Sequence, residues 1–591
     1  MRTFNTLFLL LFIFITTGFS QNNSPKPKSR PNIIVIYLDD LGYGDLGCYG
    51  ATAIKTPNID MLAKGGVRFT NGYASSATCT PSRYALLTGV YPWRNKDAKI
   101  LPGSAPLLIG TEQQTLPKML KQTGYKTAVV GKWHLGLGTG IVDWNKKITP
   151  GPNEVGFDYA YIMAATQDRV PTIYINNGFV DGLSANDTIA IDYEKNFEGE
   201  PTGKSNPELL KMKWHHGHNG SIVNGIPRIG FVKGGTTANW KDEDIADHFL
   251  EKAKSFILSH DENPFFLYYA MNQPHVPRTP HPRFEGKSGL GPRGDVILEA
   301  DWCVGEIVKT LKNENILENT MIVFTSDNGP VLNDGYYDDA VEKLGNHKPN
   351  GPLRGGKYSL LEAGTRVPFF IYWKGSIYPS VSDAMVCQMD LLASIGSLVG
   401  EEVKITDSQN LIDVFMGKSN KGRKSLIIEA NTKTAFRKGD WLMIPPYGGE
   451  ELPENEAQWL ANPPGGTCID CLHFDPPFFT ALGKETGNKE LVNTGVEQAH
   501  AYIDALQKEN GVFDHFFMNG VTGTWAPGWG RGQGWALLGM MDVLKNISLD
   551  HPGRKKIESA GAKLIYSMIE LQREDGRWWC VVDSERSGEE G

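Results

Sequence analysis

Four apolar runs along the chain end abruptly in residues that carry chemistry. "NIIVIYL" gives way to Asp39 and Asp40, and "TMIVFTS" to Asp327 and Asn328. "KTAVVG" leads into Lys132 and His134, and "NPFFLYYAMNQP" into His275. Runs of this length without polar alternation predict strands buried on both faces, the habit of parallel sheets. Between them lie segments with apolar residues at helical spacing, such as "TPNIDMLAKGG" and "DEDIADHFLEKAKSFILSH". That alternation predicts an α/β fold with a doubly wound, mostly parallel sheet. Such sheets collect functional groups at the carboxyl ends of their strands, where these four runs stop.

The pattern changes near residue 446. Residues 446–466 are rich in Pro, Gly and Glu, as a linker is. Beyond them come long helical patterns, "PPFFTALGKETG" from Pro476, "LVNTGVEQAHAYIDALQKENG" and "RKKIESAGAKLIYSMIELQREDG" among them, with no strand runs in alternation. Residues 467–591 are therefore expected to be an all-α region.

A length of 591 residues exceeds one ordinary core and calls for several domains. With 40% hydrophobic and 21% charged residues the chain is globular in composition. Its 59 basic against 67 acidic residues give a net charge of -8, which disfavours nucleic acid as a partner. An anionic substrate must then be met by a local basic cluster. Residues 1–20 place Arg2 before a short apolar run and read as an export signal, so the protein is expected in the periplasm or secreted, with no membrane span once matured. Seven cysteines in a chain of this size are not a disulfide scaffold. Cys468 and Cys471 form a lone C-x-x-C, and without further ligands at the right spacing zinc is disfavoured there.

Asp39, Asp40, Asp327 and Asn328 offer hard oxygen ligands, which suit calcium or magnesium. Lys132, His134, His275 and Lys357 add positive or proton-bearing groups, and Arg83 a bidentate clamp for an anion. Together they describe a divalent cation beside a basic pocket for a tetrahedral oxyanion. Cys79 opens "CTPSRYALLTG", where Pro81 fits the first turn of a helix, so Cys79 is expected at a helix N-terminus that favours anions.

"CTPSRYALLTG" resembles the C-x-P-S-R-x-x-x-L-T-G signature of the type I sulfatases of the alkaline phosphatase superfamily. "YLDDLGYGDLGCYG", "GKWHLG", "PHVP", "SDNGP" and "RGGKYSLLEAGTRVPF" extend the resemblance over roughly residues 30 to 445. It implies a catalytic α/β domain at 30–375 and a small C-terminal antiparallel-sheet subdomain at 376–445. It also implies that a formylglycine-generating maturation enzyme oxidises Cys79, and that the hydrated aldehyde both attacks sulfur and later expels sulfate. One calcium ion would be held by Asp39, Asp40, Asp327, Asn328 and residue 79. Arg83 matches the residue that holds the formylglycine, Lys132 and Lys357 the sulfate ligands, His275 the acid toward the leaving alcohol, and His134 the base or orienter at the diol.

The segment 165–240 has the character of an insertion. Its Asp168, Arg169 and His218 either meet the hydroxyls of a sulfated sugar or belong to a solvated loop, and His215, His216 and His218 are a weak metal motif.

The C-terminal stretches "CIDCLHFDPPFFTALGKETGNKELV", "ENGVFDHFF", "WGRGQGWALLGMMDVL" and "LQREDGRWW" resemble unsaturated glucuronyl and rhamnogalacturonyl hydrolases, glycoside hydrolase families 88 and 105. Asp470 takes the position of their proton donor, and His515, Trp529, Arg531 and Trp535 match substrate-contacting positions. That family folds as an (α/α)6 barrel of twelve helices, so an incomplete barrel with uncovered apolar faces is implied. The pairing points to sulfated, uronate-containing polysaccharides opened by lyases, algal ulvan among them. The rival readings are a phosphonate or phosphodiester hydrolase of the same superfamily and a non-catalytic carbohydrate-binding relative.

Overall fold

The computed structural model describes residues 30–259, 261–444, 466–518, 524–525, 528–582 and 589–590. Residues 1–20, expected to be an export signal, and the expected linker at 446–466, save Gly466, lie outside the described residues. The chain divides into two compact units, one comprising residues 1–445 with 453–460, the other 446–452 with 461–591. Among the described residues no helix is long and apolar enough to cross a membrane.

The first unit is built on a ten-stranded sheet. Its strands are β1 (Asn32–Leu38), β2 (Val67–Phe69), β3 (Lys126–Lys132), β4 (Tyr159–Met163), β5 (Ile175–Asn176), β6 (Phe179–Val180), β7 (Phe265–Ala270), β8 (Thr320–Ser326), β9 (Phe369–Tyr372) and β10 (Ser380–Ser382). The spatial order is β10-β2-β9-β8-β1-β7-β3-β4-β5-β6. The centre, from β8 through β1, β7 and β3 to β4, is parallel throughout, and antiparallel pairs flank it on either side. All four apolar runs noted in the sequence are these central strands, each buried along nearly its whole length.

Burial on both faces follows from the side-chain period of two. Ile33, Val35 and Tyr37 of β1 enter one core, Ile34, Ile36 and Leu38 the opposite one. The helices α2 (Cys79–Thr88), α3 (Leu116–Gln122) and α6 (Asp390–Val399) cover the first face, through residues such as Leu86, Leu120 and Leu392. The second face is covered by α1 (Pro57–Lys64), α4 (Ile245–Leu258) and α5 (Gly291–Asn313), through Leu62, Phe249 and Val304. Gly131, one residue before the end of β3, has φ of 116°, and a Cβ there would lie 1.9 Å from the Ala270 carbonyl oxygen. Only glycine permits that approach of β3 to β7.

The main sheet and core continue past residue 375, because β10 pairs with β2 and α6 packs on the core. The separate antiparallel sheet comprises β11 (Ser425–Ala430), β12 (Lys433–Lys438) and β13 (Trp441–Met443), so it begins later than residue 376.

The second unit rests on four helices, α7 (Ile469–Thr486), α8 (Lys489–Leu506), α9 (Gly530–Asn546) and α10 (Arg554–Glu570), around a core that includes Leu472, Val496, Met540 and Leu564. A short antiparallel sheet of β14 (Gly466–Cys468), β15 (Phe516–Met518) and β16 (Thr524–Trp525) joins them. The sequence pattern suggested a helix starting near Pro476, but α7 begins at Ile469 and runs through Pro476 and Pro477. The missing proline N–H leaves the Leu472 carbonyl without its helical donor. Gly539 of α9 packs directly against that carbonyl, where a Cβ would come within 2.3 Å of the oxygen. Phe474, Phe478, Met541 and Ile569 remain exposed, Ile569 at 61%.

Candidate active site

The loops that leave β1, β8, β3 and β7 converge at one edge of the sheet, and the side chains they carry are almost wholly buried. Cys79 is the first residue of α2 and is 2% exposed. Its Sγ lies 3.2 Å from His134 Nδ1. His134 Nε2 lies 2.9 Å from the Leu101 carbonyl oxygen, which can only accept, so the ring proton sits on Nε2 and the Nδ1 lone pair faces residue 79. Thr80 Oγ1 donates to the His134 carbonyl at 2.9 Å and fixes that loop. Burial, reinforced by Lys132, holds the imidazole well below its ordinary pKa, which keeps it neutral. Burial also raises the Cys79 thiol, against the pull of Lys132 and Lys357.

Asp39 Oδ2 accepts from Lys132 Nζ at 2.5 Å. Arg83 sends Nε and Nη2 to Asp327 Oδ2 at 3.0 and 2.7 Å, and Nη1 to the Lys132 carbonyl at 3.2 Å. The anion it clamps in this structure is Asp327. Asn328 Nδ2 donates to Asp40 Oδ1 at 2.7 Å, and Lys357 Nζ reaches Asp40 Oδ2 at 2.9 Å. His275 Nε2 stands 3.8 Å from the same Asp40 oxygen, while its Nδ1 donates to the Val276 carbonyl at 2.7 Å. Asp40 and His134 hold left-handed φ values of 65° and 54°, and backbone strain of this kind clusters at functional sites.

The electrostatics favour a further cation. Among the described residues, the lysine and arginine partners of Asp39, Asp40, Asp327 and Asp334 are Arg83, Lys132 and Lys357, three cations for four carboxylates. Burial and then Asp327 push the Asp39 carboxyl well above the carboxylate range. Burial would raise Asp327 too, but Arg83 and Lys132 outweigh it and hold that carboxyl low. Asp39 Oδ1 and Asn328 Oδ1 are buried without a hydrogen-bond partner. Unpaired hard oxygen atoms in an acidic cluster are what a calcium ion needs, and ligand atoms of Asp39, Asp40 and His275 already lie within 4.8 Å of one another.

The structure also brings together residues of the 165–240 segment. His218 Nε2 meets Asp168 Oδ2 at 2.8 Å, and Arg169 Nη1 meets Asp168 Oδ1 at 3.2 Å. His275 is among the charges acting on Asp168, which places this trio beside the catalytic cluster. His215 and His216 join no metal-ligand group among the described residues. Two residues escaped the sequence reading. Asp334 accepts from Lys357 Nζ at 2.7 Å and from the Tyr358 hydroxyl at 3.0 Å. Tyr358 follows Lys357 directly, but Asp334 sits in an irregular loop where only its distance of seven residues from Asp327 hinted at it.

In the second unit Asp470 lies in the first turn of α7, with a buried Oδ1 that has no partner. The His515 ring lies 4.5 Å from that of Trp529 and carries a buried Nδ1 without a partner. Burial lowers its pKa, and nearby Asp470 opposes the shift. The Arg531 guanidinium lies over Trp529 at 5.1 Å. Trp535 packs instead against His473, their rings 5.0 Å apart.

Residues 370–591 match the family model of Glycosyl Hydrolase Family 88. Residues 31–401 match the Sulfatase family model. The chain is 51% identical to the N-acetylgalactosamine-6-O-sulfatase of Bacteroides thetaiotaomicron, over 74% of this chain and 87% of that protein. It is 29% identical to human arylsulfatase A, over 79% of this chain and 84% of the other. A solved sulfatase structure, described with the metabolism of multiple glycosaminoglycans by Bacteroides thetaiotaomicron, superposes with a TM-score of 0.71 at 51% identity, covering 73% of this chain and 90% of its own. With the strand-end cluster around Cys79, these matches place the chain in the sulfatase family, as a sulfuric ester hydrolase that carries a C-terminal region similar to family 88 glycoside hydrolases.

Proposed function

We propose that the protein is a calcium-dependent sulfatase that removes a 6-O-sulfate from N-acetylgalactosamine-type residues of uronate-containing polysaccharide fragments, using formylglycine at residue 79. The observation that carries the reading is Cys79 at the start of α2, facing the lone pair of a neutral His134 beside a buried carboxylate cluster with unpaired oxygens. Asp39, Asp40, Asp327, Asn328 and residue 79 would hold the ion, which supplies the positive charge that acidifies a hydroxyl at residue 79. The hydrated aldehyde supplies two hydroxyls on one carbon, one to attack sulfur and one to release sulfate.

The chain's own groups do the rest. His134 Nδ1 accepts a proton at residue 79. Lys132 and Lys357 bring positive charge to the sulfate oxygens; Asp334 and Asp40 outweigh the effect of burial and keep Lys357 charged. Arg83, saturated by Asp327, fixes a metal ligand in place. His275 keeps its Nδ1 proton on Val276 and presents Nε2 to the leaving alcohol. Burial, then Lys357, pushes its pKa down to about 4, so the negative charge arriving with the substrate is needed to draw a proton onto Nε2. Asp168, Arg169 and His218 contact the hydroxyls of the sugar.

The 51%-identical relative supports the 6-sulfated galactosamine, and the family 88 similarity supports a neighbouring uronate, so a glycosaminoglycan is favoured over ulvan. Export follows from residues 1–20 and maturation requires a formylglycine-generating enzyme as partner. Sulfate release from N-acetylgalactosamine 6-sulfate and from glucosamine 6-sulfate, set beside turnover of an aryl phosphodiester, tests the assignment. The first should be fastest by at least an order of magnitude. Faster phosphodiester turnover would replace the sulfatase reading with the rival one.

A further inference from the structure

In the second unit β14 runs straight into α7, so Cys468 caps the helix in an extended conformation and Cys471 occupies its first turn. Both cysteines are unbridged and partly exposed, and their Sγ atoms face each other at 3.5 Å. The two thiols are not equivalent. The hydrogen bond from Cys471 draws the Cys468 thiol below the ordinary cysteine range, and the same contact, with burial, pushes Cys471 above it. A helix N-terminus favours a thiolate as well. A structural zinc ion needs four ligands, yet among the described residues ligand groups of three or more gather only at Asp39, Asp40 and His275.

We infer that Cys468 and Cys471 are a reversible dithiol–disulfide pair that exchanges with small-molecule disulfides and closes a ring across the turn carrying Asp470. The inference is independent of the sulfatase reading. The Cys468 thiolate attacks one sulfur of an external disulfide such as oxidised glutathione. That disulfide bond breaks, and one glutathione leaves as a thiolate and takes up a proton. Cys471 then loses its proton to solvent and its sulfur attacks Cys468, expelling the second glutathione. Two electrons pass from the pair to the external disulfide, which ends as two thiols, and excess reduced glutathione reverses the sequence.

The ring spans a single turn at the junction of β14 and α7, two elements that the chain already joins directly. A loop this short constrains the unfolded chain little, so the bond contributes little to stability and stays reducible. Its effect is local. Asp470 lies between the two cysteines in sequence, and its negative charge already opposes ionisation of Cys468. Closing the pair removes a thiolate from beside that carboxyl and fixes the backbone on both sides of it.

The test equilibrates the full-length chain in glutathione buffers of stepped ratio, quenches with acid, alkylates, and weighs the peptide that holds both cysteines. In oxidising buffer the expected peptide lacks both alkyl groups and runs about 2 Da below the dithiol form, and reducing buffer restores it. At pH 7 Cys468 should alkylate at least about 10-fold faster than Cys471. Cys471→Ser should accumulate a glutathione adduct on Cys468, whereas Cys468→Ser should not accumulate one on Cys471. Two alkyl groups retained in excess oxidised glutathione, a persistent adduct on the wild-type chain, or protection of both thiols by one equivalent of zinc each overturns the proposal. The wild-type masses decide the question even where a variant does not fold.

Discussion

The two units treat their buried polar groups in opposite ways. In the sulfatase unit Arg83, Lys132 and Lys357 are each matched to a carboxylate, and Asp39 Oδ1 and Asn328 Oδ1 are left buried without a hydrogen-bond partner. In the C-terminal unit the unpaired atoms of Asp470 and His515 stand beside an aromatic cluster, and apolar side chains such as Phe474 and Met541 stay exposed. A completed charge network costs desolvation but fixes geometry, whereas a half-completed one is costly unless a ligand finishes it. On the proposed reading, one cation and a substrate anion would complete the first unit. The second needs a ligand for its aspartate and cover for its helices.

Breaking the sulfatase cluster at its centre should have the largest effect. Cys79→Ala removes the nucleophile, and sulfate release measured on purified, folded protein should fall on the order of 10⁴–10⁶-fold. Asp40→Asn and Asp327→Asn come next, each losing the tightly bound calcium together with activity when metal content is measured by emission spectroscopy. Asp327→Ala should also destabilise the fold by about 3–5 kcal/mol in denaturant titrations, because it leaves Arg83 buried without its anion. An Asp327→Ala protein with full metal content would break the link between the ends of β1 and β8.

His275 and Lys357 sharpen the comparison within the site. His275→Ala should cost about 10²–10⁴-fold on a sugar sulfate and far less on an activated aryl sulfate, whose leaving group needs no proton. Lys357→Ala should cost the two substrates about equally. Equal ratios for both variants would make His275 another sulfate-binding group. The smallest effects belong to the periphery and to the second unit. His218→Ala should raise KM for the sugar substrate by about 10-fold through loss of one hydrogen-bonding contact, with kcat nearly kept. Gly539→Ala should lower the thermal stability of the C-terminal unit by about 1–3 kcal/mol, because its Cβ meets the Leu472 carbonyl, and should leave sulfate release unchanged.

Much of the sulfatase site was legible because its ligands sit at the ends of runs too apolar to be anything but buried strands. β1 points to Asp39 and Asp40 and β8 to Asp327 and Asn328, so four residues of the buried cluster follow from two strand endings. The pairing of Arg83 with Asp327 was not legible, since a guanidinium reads the same whether it meets a substrate or a carboxylate 244 residues away in sequence. Asp334 was hidden by a loop with no periodicity, among several acidic neighbours. The start of α7 was obscured by Pro476 and Pro477, which mark a break in any local reading, yet the helix runs through both. The late start of the small sheet was hidden because β10 is only three residues long.

Everything proposed for the first unit depends on what residue 79 becomes. The direct measurement is the mass of the proteolytic peptide that contains it, taken from protein made in a host with a formylglycine-generating enzyme. The account predicts a peptide about 18 Da lighter than the cysteine form, with sulfate release rising in proportion to its fraction. Full sulfatase activity from protein in which residue 79 is entirely unmodified cysteine would contradict it.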